Sequence, residues 1–321
     1  MLENIDIIEY KCFKEFKLND FKRINIISGG NNVGKTALLE AFYIAYSTND
    51  LLDDISTIAK NRNSSKENFI HFVKKFNYKL SSNLYALAFE VKTKYKLNEK
   101  EKIEVKKLNA DYNDFVCMSV DDDITIEPLE KVKMADSDNL YINSSKPDNH
   151  LLVKLYSEVQ TKGIQHKFLE YLRILDKDIA WIEPQLIDGE LLLRINLNNP
   201  EHSLISSELG EGVNRYIEIL AVLLSNSNGS VFIDEIENGI HYSKLKDICK
   251  AVIEIAQKED IQLFLTTHDK ETIEAFSEVS EELDFKDICS IELYKEDNVI
   301  KSIIRNDEQF RVTVEAGMDI R

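Results

Sequence analysis

The sequence predicts an α/β fold with a mostly parallel sheet, and two observations carry that reading. In the last third of the 321-residue chain, strand and helix patterns alternate: a helix from about Val213 to Leu224, a buried strand Val231 to Ile233, a helix around Tyr242 to Ala256 and a buried strand Ile261 to Leu265. Near the start, Gly29-Gly30-Asn31-Asn32-Val33-Gly34-Lys35-Thr36 is a complete G-x-x-x-x-G-K-T loop. It lies between an apolar strand, Arg23 to Ser28, and an apolar-rich helix, Ala37 to Tyr46.

Strand, glycine-rich loop and helix in that order form a phosphate cradle. The glycines let backbone N–H groups turn inward, Lys35 brings a point charge to the β- and γ-phosphates, and the Thr36 hydroxyl is placed to ligate Mg²⁺. Ala37 opens a helix whose positive N-terminal end adds to the field. The expected ligand is ATP or GTP.

Composition excludes several other classes. A hydrophobic content of 43% suffices for one large core or two small ones, and no run of 18 apolar residues suggests a membrane span. The start, Met1-Leu2-Glu3, leads directly into strand-like Ile5-Asp6-Ile7-Ile8 without a basic and apolar leader, so a cytoplasmic location is expected. Cys12, Cys117, Cys249 and Cys289 are far apart and read as ordinary buried thiols rather than a zinc site or disulfide frame. A net charge of −17 opposes broad contact with nucleic-acid phosphates. Lys92, Lys94, Lys96, Lys100, Lys102, Lys106 and Lys107 make a basic stretch, but interspersed acidic residues read it as a solvated hairpin.

Before the phosphate loop, Ile5 to Tyr10 and Arg23 to Ser28 read as two hairpin-like strands around a short segment carrying Phe13 and Phe16. After it, Lys60 to Asn68 reads as a polar loop, and Leu84 to Val91 and Lys102 to Leu108 as antiparallel strands. A second polar loop, Asn143 to Asn149, precedes a helix pair from Leu151 to about Ile174.

Ser230-Val231-Phe232-Ile233-Asp234-Glu235 is an apolar strand ending in two carboxylates, a Walker B pattern. Asp234 is placed to hold Mg²⁺ through water and Glu235 to act as general base or to position the attacking water. Glu237 to His241 and the strand end Leu265-Thr266-Thr267-His268 stand where ABC-type ATPases carry their D-loop and switch histidine. His268 is accordingly expected to sense the γ-phosphate. Ser206-Ser207-Glu208-Leu209-Gly210-Glu211-Gly212-Val213-Asn214-Arg215 opens a helix just before the Walker B strand and resembles an ABC signature motif. Its helix N-terminus offers N–H groups to a phosphate.

Together these motifs resemble the prokaryotic AAA/ABC-type ATPases related to RecF, SMC and the OLD (overcoming lysogenization defect) proteins. The opening Ile7 to Lys14 is similar to that group's first strand and basic-aromatic turn. The resemblance implies an ABC-type P-loop ATPase head with a mixed sheet, N-terminal antiparallel strands and an α+β insertion. A single head would span 1–321, with its core in 1–50 and 180–321 and a strand-rich and helical insertion at 51–179. It further implies nucleotide contacts from Lys11, Ser207, Gly210, Glu211 and Gly212, catalytic roles for Lys35, Glu235 and His268, and ATP with Mg²⁺ as cofactors. In that family the signature turn engages ATP held by a second subunit, so the partner is a second copy in an ATP-sandwich homodimer or higher homo-oligomer. Two departures stand out: Gly210 occupies the signature serine position when Leu209 is aligned with the family's leucine, leaving Ser207 as the neighbouring hydroxyl. About fifty residues follow His268, too few for the nuclease domain fused to OLD proteins. Stand-alone ATPases of this sort resemble components of phage-defence and toxin-like systems, which implies a switch acting on a separate effector such as a nuclease. Direct DNA binding, as in RecF-like repair ATPases, is the alternative.

Overall fold

A computed structural model describes residues 1–46, 57–58, 85–97, 100–111, 115–120, 123–128, 140–199, 202–206, 208–318 and 320. The predicted loop 60–68 and Ser207 lie outside them. β1 (Leu2–Tyr10) and β2 (Phe13–Asn19) form an antiparallel hairpin in which Ile7 opposes Phe16. β3 (Ile24–Gly29) enters a different sheet, so the expected pairing of the first strand with Arg23 to Ser28 is corrected. The reason lies in β2: Phe13, Phe16 and Leu18 are buried, but Lys14 and Glu15 are both exposed and Glu15 has φ of 50°, which interrupts two-residue alternation.

α1 (Lys35–Tyr46) follows the phosphate loop and is buried from Ala37 to Ala45, as a helix packed on several sides must be. β4 (Tyr85–Leu97), β5 (Lys100–Asp111), β6 (Phe115–Val120) and β7 (Asp123–Pro128) then extend the β1–β2 hairpin into a six-stranded antiparallel sheet of order β2-β1-β4-β5-β6-β7. The basic stretch at 92–107 lies on the β4–β5 pair. β8 (Tyr141–Ile142), α2 (Asn149–Thr161) and α3 (Gln165–Leu172) come next, followed by β9 (Ile179–Ile187), β10 (Glu190–Leu197) and β11 (Leu204–Ile205) in a small antiparallel sheet.

The final part alternates as the sequence predicts: α4 (Glu211–Ser225), β12 (Ser230–Ile233), α5 (Tyr242–Lys258) and β13 (Gln262–Thr266). It continues through α6 (Lys270–Glu282), β14 (Ile288–Glu296), β15 (Val299–Arg305) and α7 (Asp307–Glu315). The second six-stranded sheet has the order β15-β14-β3-β13-β12-β8 and is parallel except for the β14–β15 edge.

Alternate residues of this mixed sheet serve two cores. Val231, Ile233, Leu263 and Leu265 join α2 to α6 on one face, whereas Phe232 and Phe264 join α1 and the β1–β2 hairpin on the other. Phe42 of α1 stacks on Phe264 at 4.4 Å, and Phe264 on Phe232 at 5.6 Å, so the helix following the phosphate loop is anchored to the two neighbouring strands. The Gln262 side chain closes the far end, accepting from Leu2 N at 2.7 Å and donating to Leu2 O at 2.9 Å. The expectation of buried thiols holds for Cys249 and Cys289, while Cys12 is exposed at the β1–β2 turn.

α4 carries a buried ion pair, Arg215 with Glu218 at 3.0 Å. Burial pushes the Glu218 carboxyl from its ordinary 4.5 up to about 7, against the opposing pull of Arg215; Asp148 adds a small push upward. Because the folded value is raised, the folded state favours the protonated acid. The stability contributed by Glu218 is therefore full below pH 4.5 and lost as pH rises through about 7, a difference of roughly 3 kcal/mol. Urea midpoints measured across this range should fall with pH for the native chain and show a shallower slope for Glu218→Gln.

Candidate active site

Parallel pairing of β12 with β13, and of β13 with β3, brings the carboxyl ends of all three strands to one edge of the sheet. The loops that leave that edge carry the residues singled out from the sequence. Gly30, Asn31 and Asn32 are exposed, Val33 is packed into the α1 core, and Gly34 O accepts from Leu38 N at 2.8 Å, which starts α1. Gly29 has φ of 136°, and a Cβ there would lie 2.2 Å from Leu293 O of β14, so only glycine fits the strand-to-loop bend.

Lys35 is the first residue of α1, and its ammonium folds back over the loop to donate to Gly29 O at 2.8 Å and Gly30 O at 2.9 Å. Burial lowers its pKa, and the nearby charges of Glu235, Asp234 and Glu237 oppose that shift. Thr36 Oγ1 lies 3.1 and 3.2 Å from the two Asp234 carboxylate oxygens. Asp234 is buried; burial raises its pKa, and the hydrogen bonds from Thr266 and Thr36 pull it back down.

Thr266 is the hinge of this arrangement. Its hydroxyl donates to Asp234 Oδ1 at 2.7 Å and accepts from Glu235 N at 2.8 Å, so one buried side chain orients both acidic residues. Glu235 has φ of 51°, a left-handed backbone that a non-glycine residue adopts only when its surroundings enforce it. His268 follows β13, with Nδ1 at 3.2 Å from Glu237 Oε1 and 3.9 Å from Glu235 Oε1. Glu237 also accepts from His268 N at 3.0 Å. Burial raises its carboxyl pKa, and among the described residues its Oε2 has no hydrogen-bond partner.

The signature-like turn ends against the loop that follows β12. Gly210 is the N-cap of α4, without a side-chain cap, and the exposed Glu211 in its first turn lies 3.7 Å from Lys146. A Cβ on Gly212 would sit 2.3 Å from Gly239 O, so this glycine lets α4 meet the loop after Glu235 at backbone contact. Ser206, buried before the turn, donates to Asn149 Oδ1 at 2.8 Å. Lys11 lies in the β1–β2 turn, and its ammonium pairs with Glu40 of α1, which also accepts from Tyr10 OH at 3.0 Å.

The structure thus brings Lys35, Thr36, Asp234, Glu235 and His268 to the same sheet edge, while Lys11 is paired with Glu40 in a turn whose Cys12 and Phe13 abut Gly34 of the phosphate loop. Sequence reasoning missed the parts played by Thr266, Glu237, Glu40 and Arg215. The first two were visible in T-T-H and in the residues after D-E, but nothing local marked them as partners. The donor set of Thr36 and Asp234, hydroxyl and carboxylate oxygens, suits a hard divalent cation such as Mg²⁺.

A phosphate loop and a two-carboxylate strand end on parallel strands either side of β13 define a P-loop ATPase of the AAA/ABC class. Residues 24–274 match the family described as "AAA domain, putative AbiEii toxin, Type IV TA system". That is more than half of the chain, and the chain belongs to this family. It is 22% identical to a Helicobacter pylori (strain ATCC 700392 / 26695) protein called "ATP/GTP phosphatase", over 93% of either chain. Its fold is that of SMC heads. An SMC head bound to the C-terminal winged-helix domain of ScpA superposes with a TM-score of 0.62 at 13% identity, covering 96% of this chain and 98% of that one. The SMC head from Thermotoga maritima gives 0.53 at 12% identity over 95% and 99%. Among the described residues, no helix is long and apolar enough to cross a membrane.

Replacing Thr266 by Val keeps the volume but removes the donor to Asp234 and the acceptor for Glu235 N. With the Glu235 N–H left without its acceptor and Asp234 Oδ1 left with Thr36 alone, the fold should be destabilised by about 1–3 kcal/mol, measurable as a lowered urea midpoint.

Proposed function

We propose that this chain is a nucleotide-driven switch: it hydrolyses ATP, dimerises around it, and through that cycle controls a separate effector. The observation that carries the reading is the 3.1 Å approach of Thr36 to Asp234, which joins phosphate loop and acidic strand end into one site. Lys35, now bonded to its own loop carbonyls, would exchange those bonds for the β- and γ-phosphates, together with N–H groups from Gly29 to Ala37. Thr36 and Asp234 would hold Mg²⁺, which neutralises charge on the phosphates when bound. Glu235 would accept the proton of the attacking water, and His268 would register the γ-phosphate.

The uncapped α4 N-terminus, with Gly210, Glu211 and Gly212, supports engagement of the nucleotide held by a second copy. Ser207 would join it there, and Lys11 would act at the outer edge of the loop. The SMC-head fold supports dimerisation as homodimer or higher homo-oligomer. The family description, with its toxin and Type IV TA system, supports a toxin-type partner; a nuclease effector in anti-phage defence and a cytoplasmic place of action are part of the proposal. The name of the Helicobacter relative leaves GTP as a second substrate, which nucleotide competition decides.

Lys35→Ala should weaken ATP binding. Glu235→Gln should keep binding, lower kcat by about 10²- to 10⁴-fold, and accumulate an ATP-bound dimer visible by light scattering. Equal loss of binding in both variants would remove Glu235 from the chemical step, and an ATP-bound Glu235→Gln variant that stays monomeric would remove the sandwich.

A further inference from the structure

Glu235 needs its carboxylate aimed, yet among the described residues no hydrogen bond holds that carboxylate; His268 Nδ1 stands at 3.9 Å. Its direction must come from the backbone. Thr266 holds the Glu235 N–H, as described above, and the opposite side of the same turn is held by Arg215 of α4. The Arg215 guanidinium donates to Asp234 O at 2.6 Å and more weakly to Glu235 O at 3.4 Å. It also donates to Asn143 O, just past β8, at 2.5 Å and to Glu218 at 3.0 Å.

Arg215 is 2% exposed, so it reaches neither solvent nor nucleotide. A buried cation of this kind is justified by its partner Glu218 for charge, but Glu218 alone would not require the fork to face three carbonyls. Those carbonyls belong to the ends of β8 and β12 and to the left-handed residue Glu235 itself.

We infer that Arg215 is a positioning residue for hydrolysis: it fixes the peptide planes of Asp234 and Glu235, and so the direction of the Glu235 carboxylate. The inference rests on the reading of Glu235 as the base. It has a second consequence, because Arg215 belongs to the second turn of the helix whose uncapped N-terminus is Gly210. Any ligand that pulls on that N-terminus moves a stiff rod joined directly to the Glu235 peptide. Binding at α4 and the aim of the base are then mechanically one event.

The test uses the full chain and steady-state ATP hydrolysis, with ATP affinity and thermal melting measured alongside. An Arg215→Met/Glu218→Met double variant removes the buried pair without leaving an orphan charge. It should lose on the order of 10²-fold in kcat while ATP Kd changes little, the size expected when a reacting group is misplaced by about 1 Å. Arg215→Lys keeps the charge opposite Glu218 but lacks the planar fork; it should retain part of the activity, about a tenfold loss. Should the double variant fail to fold, Arg215→Lys carries the test by itself.

The route through Glu235 is read from a double-mutant cycle. In a Glu235→Gln background, Arg215→Lys should add no further loss, since the group being aimed is already gone. A folded variant with native kcat, a loss that multiplies with that of Glu235→Gln, or a loss matched by ATP affinity would each overturn the inference. If Glu235→Gln itself retained native kcat, the reading of the base would fall, and the positioning role with it. An inactive Glu235→Gln beside fully active Arg215 variants would remove only the positioning role.

Discussion

The chemistry of this chain depends on three parallel strands that end level with one another. Ile233 of β12 pairs with Leu265 of β13, and Thr266 with Ile27 of β3, so the phosphate loop, the acidic pair and the T-T-H segment leave the sheet at adjacent points. Parallel pairing makes this possible because each strand returns to the same edge through a helix on a sheet face. An antiparallel strand in either place would carry its loop to the opposite end of the molecule. The apolar runs that fill these strands thus do more than build a core. They determine that Thr36, nearly two hundred positions away in sequence, meets Asp234.

That convergence has an electrostatic cost which the same strands contain. Asp234, Glu235 and Glu237 lie close enough to Lys35 to act on its protonation, while burial resists charge on Lys35, Asp234 and Glu237 alike. Local hydrogen bonds provide the answer. Thr266 and Thr36 favour the ionised form of Asp234, and His268 N does the same for Glu237. The remaining imbalance gathers acidic groups beside one lysine.

What was legible in the sequence was whatever is local. The loop from Gly29 to Thr36 carries its chemistry in eight consecutive residues, and Asp234-Glu235 announces itself by following three apolar ones. The α4, β12, α5 and β13 elements were legible for the same reason, since each is a clean period bounded by glycine or polar turns. Contacts made at long range were not. Gln262 imitates a strand partner for Leu2 across 260 positions, and Lys11 meets Glu40 across 29, without any pattern near either residue. Arg215 stands within the signature-like segment, but its carbonyl partners 19 and 20 positions away are visible only in three dimensions. The β1–β2 hairpin was obscured by a different cause, the irregular backbone at Glu15, which hides alternation from a reading that depends on it.

Strands β4 to β7 of the middle segment lie apart from the register that assembles the site. β4 to β7 grow from the β1 edge, on the sheet that covers α1, and none of them pairs with β3, β12 or β13. A sheet extended at that edge acquires new surface while the register that assembles the site is untouched. α2 and α3, which precede the signature-like turn, instead pack into the larger core with α4. Change there would be felt at α4, and through Arg215 at the acidic pair. The two halves of the middle segment therefore differ in physical kind: β4 to β7 lie outside the register that assembles the site, whereas its helices pack with the helix that carries Arg215.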